Sequence, residues 1–146
     1  MRVILIHHGE AQPKEQDAGE LLSRTGRQSV ARLALFLGGS GLKISQFLHS
    51  GKAAARQTAD MLAATLESES VDLLTEDPMP QLSDGPGEKA FVGTLPQLVN
   101  ILNALFQDSP PSLDLPSATA IGLKKGEDGR YTVFLLVGAH LLGAID

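Results

Sequence analysis

The run Val3-Ile4-Leu5-Ile6 near the start of the chain constrains the fold more than any other feature. Four consecutive apolar residues, three of them β-branched, predict a strand that is buried on both faces and is therefore central in a sheet. A second strand is predicted at Ile44–His49, and shorter strands at Val71–Leu74 and Ala90–Val92. Because a strand buried on both faces needs cover on each side, we expect helices above and below the sheet.

Segments with helical periodicity alternate with these strands. After a capping Ser23 or Thr25, apolar residues recur with i, i+3, i+4, i+7 spacing, and Gly38-Gly39 provide an end. A second helix is predicted after Ser50-Gly51, and Thr94 caps a third. The apolar positions of the three helices are Val30, Leu33, Ala34 and Leu37, then Thr58, Met61, Leu62 and Leu66, then Leu95, Leu98, Val99, Leu102 and Phe106.

The last part of the chain has a different pattern. Ala118–Leu123 and Tyr131–Val137 flank the polar, glycine-containing stretch Lys124–Arg130, which predicts a hairpin. The stretch Asp77–Lys89 is rich in proline and glycine and is predicted to be a loop. We therefore expect residues 1–146 to form a single α/β domain. Its architecture is a three-layer sandwich, with a mostly parallel sheet, helices on both faces and a C-terminal antiparallel hairpin.

Composition excludes several classes of function. Twelve Lys and Arg residues against seventeen Asp and Glu residues give a net charge of −5, so the overall field does not attract nucleic acid or an anionic membrane. The absence of cysteine excludes disulfides and thiolate chemistry. The first apolar run is too short for a signal peptide, and no run reaches the roughly 20 residues of a membrane span. We therefore expect a cytoplasmic protein.

Chemistry is expected at the carboxyl ends of the parallel strands, where ligands bind in open α/β sheets. The first strand ends at His7, His8, Gly9 and Glu10. His8 can act as a nucleophile or a base near neutral pH, Glu10 can donate or accept a proton, and Gly9 lets a ligand approach the backbone. The alternative interpretation is that the histidine pair belongs to the surface or supports the fold.

Two further strand ends point to the same crevice. Ser50 and Lys52 follow the second strand, and Thr94 stands at the N-terminus of the third helix, where free amides and the helix dipole can hold an anion. Ser50 is equally explained as part of a strand-to-helix turn, and Thr94 as a helix cap. These residues are therefore candidates for phosphate binding beside His8.

A metal site is the other chemistry to weigh. His7, His8, His49, His140 and Glu10 are all potential ligands. Successive side chains of an extended strand point to opposite faces, so the first two would reach one ion only across a bend, and no histidines have the usual i, i+4 spacing. We expect no metal or other cofactor, and assign His140 a structural role in its apolar segment.

The order of several short motifs resembles the histidine phosphatase superfamily, in particular its small, SixA-type phosphohistidine phosphatase branch with a phosphoglycerate mutase-like fold. That family begins with a strand that enters Arg-His-Gly-Glu/Asp, and the further motifs are spread over nearly the whole chain. The matching segments are Val3–Glu10, Leu22–Arg27, Phe47–Ser50 with Ala55–Ala59, and Val92–Leu98.

The resemblance implies roles for individual residues. By this resemblance His8 attacks phosphorus and becomes a phosphohistidine that water then hydrolyses, while a nearby acid protonates the leaving group, and Glu10 is our candidate for a catalytic proton donor. The family's phosphate pocket also holds two arginines and a second histidine, and this chain has His7, Ala54 and Thr94 at those places. If the Val92-Gly93-Thr94 block were assigned wrongly, His140 after Val137-Gly138-Ala139 would be the second histidine.

Two functions follow from this resemblance. The first is a phosphatase-like domain that has lost most or all catalytic activity and is a phosphoryl-binding or regulatory module, whose partner is a phosphorylated protein or a small phosphorylated molecule. The second is a weak or specialised phosphatase that acts through His8. Protonated His7, Lys52 or Arg56 would have to replace the missing arginines, but Arg56 lies about 200° around the helix from Ala54. A metal-dependent hydrolase is a third, minor alternative.

Overall fold

A computed structural model describes residues 1–13, 21–51, 53–107 and 109–142. Its strands are β1 (Arg2–His7), β2 (Ile44–His49), β3 (Glu69–Asp72), β4 (Glu88–Gly93), β5 (Thr119–Lys125) and β6 (Tyr131–Gly138). Its helices are α1 (Arg24–Gly39), α2 (Ala53–Leu66), α3 (Met79–Leu82) and α4 (Leu95–Leu105), and a 3-10 turn covers Ala139–Leu141. None of the helices in these described parts is long and apolar enough to cross a membrane.

The six strands form one sheet in the order β3-β2-β4-β1-β5-β6. The first four strands in that order are parallel to one another, while β5 runs antiparallel to β1 and β6 runs antiparallel to β5. This arrangement confirms the predicted α/β fold with an antiparallel hairpin at its C-terminal end.

The core has two parts, one on each face of the sheet. Ile4 and Ile6 of β1 face α1 and α2, whereas Val3 and Leu5 face α3 and α4. All four side chains are completely buried, as the continuous apolar run predicts for a central strand. The alternation along β1 therefore produces the three layers, with the sheet in the middle.

The structure corrects two predicted boundaries. The third strand lies at Glu69–Asp72 and not at Val71–Leu74, because it is an edge strand without a fully buried residue and its sequence carries little apolar signal. The predicted loop Asp77–Lys89 contains α3 and the start of β4. The short helix is possible there because its prolines stand at and just after its start, where no helical N–H is needed, and the Asp77 carboxylate accepts the Met79 N–H at 3.0 Å.

Helix α1 begins and ends by ordinary capping. Ser23, one of the two predicted caps, accepts the Gly26 N–H at 2.9 Å. The helix ends at Gly39, within the predicted Gly38-Gly39 pair, and Ser40 donates its N–H and its hydroxyl to the Leu37 carbonyl at 3.2 and 2.7 Å. Gly41 then has φ = 86°, a left-handed conformation that glycine adopts without steric cost.

Candidate active site

Three strand ends meet at one edge of the sheet. Ile6 of β1 and His49 of β2 both pair with Val92 of β4, so the residues after them lie level with Gly93 on either side of it. Two strand spacings of about 4.8 Å put the backbones of His7 and Ser50 about 10 Å apart. The segments that were predicted to share a crevice therefore lie together, while the chemical roles of their side chains remain predictions.

The ring of His8 is held in a defined tautomer. Its Nδ1 lies 2.7 Å from the carbonyl oxygen of Gly9, and its backbone N–H donates to the Gly93 carbonyl at 3.1 Å. A carbonyl oxygen can only accept a hydrogen bond, so Nδ1 carries a proton. When the ring is neutral, the lone pair is therefore on Nε2, which is the atom that would attack an electrophile or accept a proton.

His7 is fixed in the same way and contacts its neighbour. Its Nδ1 lies 2.9 Å from the Leu115 carbonyl oxygen, and the two imidazole centroids are 5.0 Å apart in an edge arrangement at 69°. Side chains that would point to opposite faces of an extended strand meet here because the chain bends. The N–H of Ala118 donates to the carbonyl oxygens of both His7 and His8, at 3.0 and 3.1 Å, and so holds the bend.

The Gly9 position depends on packing against α1 and on a buried threonine. A Cβ on Gly9 would lie 2.6 Å from Val30 Cγ2, so the close approach of α1 requires glycine here. The Gly9 N–H donates to Thr58 Oγ1 at 3.1 Å, and this hydroxyl donates to the Ala54 carbonyl at 2.8 Å. Thr58 is completely buried. The sequence places Thr58 on the apolar face of α2. A hydroxyl on that otherwise apolar face is the signal that could have identified Thr58 as a hydrogen-bonding residue of the site.

Glu10 lies on the exposed side of this turn. Its carboxylate oxygen Oε1 accepts the Ser23 hydroxyl at 3.0 Å, and its carbonyl accepts the Ser23 N–H at 2.9 Å. A Cβ on Gly26 would approach the same carbonyl oxygen to 2.1 Å. Glu10 is therefore tied to the N-terminus of α1.

The end of β2 forms a tight turn around a buried histidine. The His49 side chain is 4% exposed, and its Nδ1 accepts the Gly51 N–H at 3.1 Å and lies 3.4 Å from Asp72 Oδ1. Gly51 has φ = 85°, which favours glycine. Ser50 Oγ is buried and has no hydrogen-bond partner among the residues that the structure describes. Lys52, predicted to reach this crevice, lies outside the described residues.

The N-terminus of α4 offers few free donors to an anion. Thr94 Oγ1 accepts the Gln97 N–H, while Gln97 Oε1 accepts the Thr94 N–H at 2.9 Å, which is a complete capping box. Pro96 has no N–H, and the Leu98 N–H donates to the Thr94 carbonyl at 3.1 Å. Thr94 is thus the helix cap that the sequence predicts, and the cap occupies amides that a bound phosphate would need.

Three further positions that the sequence singles out lie on α2 and after β6. Ala54 is buried on α2 while Arg56, two residues later, is exposed, in agreement with their separation around the helix. His140 is exposed in the 3-10 turn after β6 and not at a strand-to-helix junction. Within the described ranges, no group of three His, Asp or Glu side chains is placed to hold a metal ion.

No sequence-family description matches this chain, and no curated protein matches it. Solved structures do match. The tungstate complex of the protein histidine phosphatase SixA superposes with a TM-score of 0.80 at 19% identity, over 98% of this chain and 100% of that chain. A putative phosphohistidine phosphatase SixA from Agrobacterium tumefaciens gives 0.75 at 16% identity, over 94% and 97%. A putative one from Nakamurella multipartitia gives 0.70 at 18% identity, over 93% and 94%. These similarities show that the chain has the fold of the SixA-type histidine phosphatases, as the motif order predicts.

Proposed function

We propose that this chain, with the fold of the SixA-type phosphohistidine phosphatases, is a phosphatase-like domain that has lost most or all catalytic activity and is a phosphoryl-binding or regulatory module. The observation that carries the proposal is the place of Ala54. Its carbonyl is two hydrogen bonds from the backbone of Gly9, through the Thr58 hydroxyl, so position 54 belongs to the surroundings of His8. A methyl group there provides no charged donor for a phosphoryl group.

The other supporting observations concern positive charge and free amides. A transferring phosphoryl group needs fixed cationic donors on its oxygens, for which the forked guanidinium group of arginine is the best match. Arg56 is exposed, and the Arg27 guanidinium donates to the Leu22 carbonyl at 3.0 Å. The capping box of α4 engages the Gln97 and Thr94 amides. Loss of one transition-state donor typically costs about 10²–10³ in rate, and losses within one pocket are not additive.

A weak phosphatase is the second candidate, and one observation favours it. The hydrogen bond from His8 Nδ1 to the Gly9 carbonyl directs Nε2 as a nucleophile would need. In this candidate Nε2 attacks phosphorus, Glu10 protonates the leaving group, and water then hydrolyses the phosphohistidine. Protonated His7, whose ring contacts that of His8, would supply positive charge to the phosphoryl oxygens.

The test measures turnover, the covalent intermediate and binding on one preparation. The purified chain is assayed with a phosphohistidine peptide and with an aryl phosphate, beside an active SixA phosphatase, and short incubations with labelled substrate are quenched to detect phosphate on His8. We expect rates lower by at least about 10² than those of the active enzyme. We also expect inorganic phosphate to shift the His8 imidazole resonances in NMR spectra.

Matched variants separate the two candidates. His8→Ala should remove any residual turnover, while His140→Ala removes an exposed imidazole in the 3-10 turn and should leave turnover unchanged. The combined variant His7→Arg, Ala54→Arg, Thr94→His should raise the rate. A rate within about tenfold of the active phosphatase that is abolished by His8→Ala would establish the weak-phosphatase candidate and overturn the first.

A further inference from the structure

A groove of about 920 Å³ lies beside Ser50, on the α4 face of the sheet. This groove, the α4 groove, runs between one side of α4 and the segment 73–79, which follows β3. Phe91 and Ile101 form buried parts of its lining, with 1% and 8% of their surfaces exposed. A volume of this size is at the upper end of the roughly 300–1,000 Å³ of ordinary ligand pockets.

The wall formed by segment 73–79 is held in place by specific hydrogen bonds. The Leu73 N–H donates to the His49 carbonyl at 2.8 Å, and the Leu74 N–H donates to Gln81 Oε1 at 2.7 Å. The Thr75 hydroxyl donates to the Asp77 carbonyl at 3.0 Å. The groove is therefore preformed, so a ligand does not have to pay the entropy of ordering this wall.

The chemistry of the lining is apolar and acidic. Leu74 is 84% exposed, so the groove presents one large apolar side chain at its rim. Glu76 and Asp77 are exposed beside it, and no lysine or arginine lines the groove within the described part of the chain. Two carboxylates at the rim without a cationic partner among the described residues repel a phosphate and attract a cation.

One polar group at the inner end also lacks a partner. Ser50 lines the α4 groove, and its Oγ is buried without a hydrogen bond to any described residue. Because this oxygen is not exposed, a ligand contacts the apolar and acidic lining and not the Ser50 hydroxyl.

From these features we propose that the α4 groove binds a segment of a partner protein in which apolar side chains alternate with lysine or arginine. The apolar side chains pack on the exposed Leu74 and the half-buried Met79, and the cationic groups lie against Glu76 and Asp77. The inference deepens the proposed function. It rests on that function in one respect, namely that the domain is a module that binds a protein beside the His8 crevice. It depends on the groove and not on whether His8 still reacts.

The experiment selects ligands from a displayed library of random peptides on the intact chain. We expect the enriched peptides to combine Lys or Arg with Leu, Ile, Met or Phe, relative to the unselected library. Affinity of one enriched peptide is then measured by fluorescence anisotropy. The double variant Glu76→Gln, Asp77→Asn should bind it about tenfold more weakly, which corresponds to about 1.4 kcal/mol. Asp77→Asn keeps the oxygen that accepts the Met79 N–H.

A matched control changes the same net charge elsewhere. Asp60→Asn with Glu127→Gln alters two exposed carboxylates on α2 and on the turn before β6, and should leave the affinity unchanged. NMR shifts on binding should include the amides of Ser50 and Leu74. The proposal is overturned if no basic and apolar peptides are enriched, or if both double variants weaken binding equally. Either result leaves the turnover and phosphate measurements on His8 unaffected, so the two proposals fail separately.

Discussion

Replacement of Gly26 by alanine should destabilise the protein, although alanine is the better helix former. The added Cβ would lie 2.1 Å from the Glu10 carbonyl oxygen, about 1.3 Å short of the 3.4 Å at which ordinary contacts begin. That oxygen accepts the Ser23 N–H at 2.9 Å and belongs to backbone, so it cannot move aside without a shift of the whole turn. Overpacking of this kind costs about 1–3 kcal/mol, and a weakened hydrogen bond adds about 0.5–1.5 kcal/mol.

The gain in helix propensity acts in the opposite direction. Alanine is favoured over glycine inside a helix by about 1 kcal/mol, so we expect Gly26→Ala to lower the free energy of unfolding by about 1–3 kcal/mol. Gly38→Ala in the same helix is the control, because its Cβ would meet only Thr65 Cγ2 at 3.9 Å, an ordinary contact. The control should be neutral or up to about 1 kcal/mol more stable.

The assay is urea unfolding followed by circular dichroism, with the midpoint and slope fitted for both variants. Amide NMR spectra give a second measurement, since a displaced Glu10 turn should shift the Gly9 resonance in Gly26→Ala and not in Gly38→Ala. Equal stabilities of Gly26→Ala and Gly38→Ala would show that α1 does not pack closely against the Glu10 turn.

Two further substitutions test other interactions. Thr58→Val leaves the buried Gly9 N–H without its acceptor and should cost about 1–3 kcal/mol in urea unfolding, whereas Thr58→Ser keeps the hydroxyl; equal stabilities of the two variants would contradict this role. Burial raises the pKa of the Tyr131 hydroxyl above its ordinary value of 10.0, so the folded state binds that proton more tightly than the unfolded state. The stabilisation that comes from this tighter binding of the Tyr131 proton is present below about pH 10. It is lost as the pH rises through the folded-state pKa of Tyr131. Tyr131→Phe should therefore reduce the fall in unfolding free energy between about pH 9 and about pH 11, and an unchanged slope would count against it.

Much of the fold could be predicted because its central elements have strong periodic signals. The all-apolar run of β1 and the spaced apolar residues of α1 identify a buried strand and a helix that covers it. β3 could not be placed correctly, because its four residues form an edge strand in which three are polar. There the packing of neighbouring strands determines the position, and the local sequence does not.

The site was predictable only in part for a similar reason. Strand ends meet at one edge in any parallel sheet, so the neighbourhood of His8 and Thr94 followed from topology. The groups that orient the site come from distant parts of the chain. The carbonyl that fixes His7 belongs to Leu115, and the hydroxyl that holds Gly9 belongs to Thr58. No local pattern specifies such pairs, because they exist only after the sheet and α2 have packed.

The shared N–H of Ala118 has a mechanical consequence. It lies immediately before β5 and holds the carbonyl oxygens of His7 and His8 at once. Because one N–H serves both carbonyl oxygens, a shift of the residue before β5 would weaken both hydrogen bonds of the His7-His8 bend at the same time.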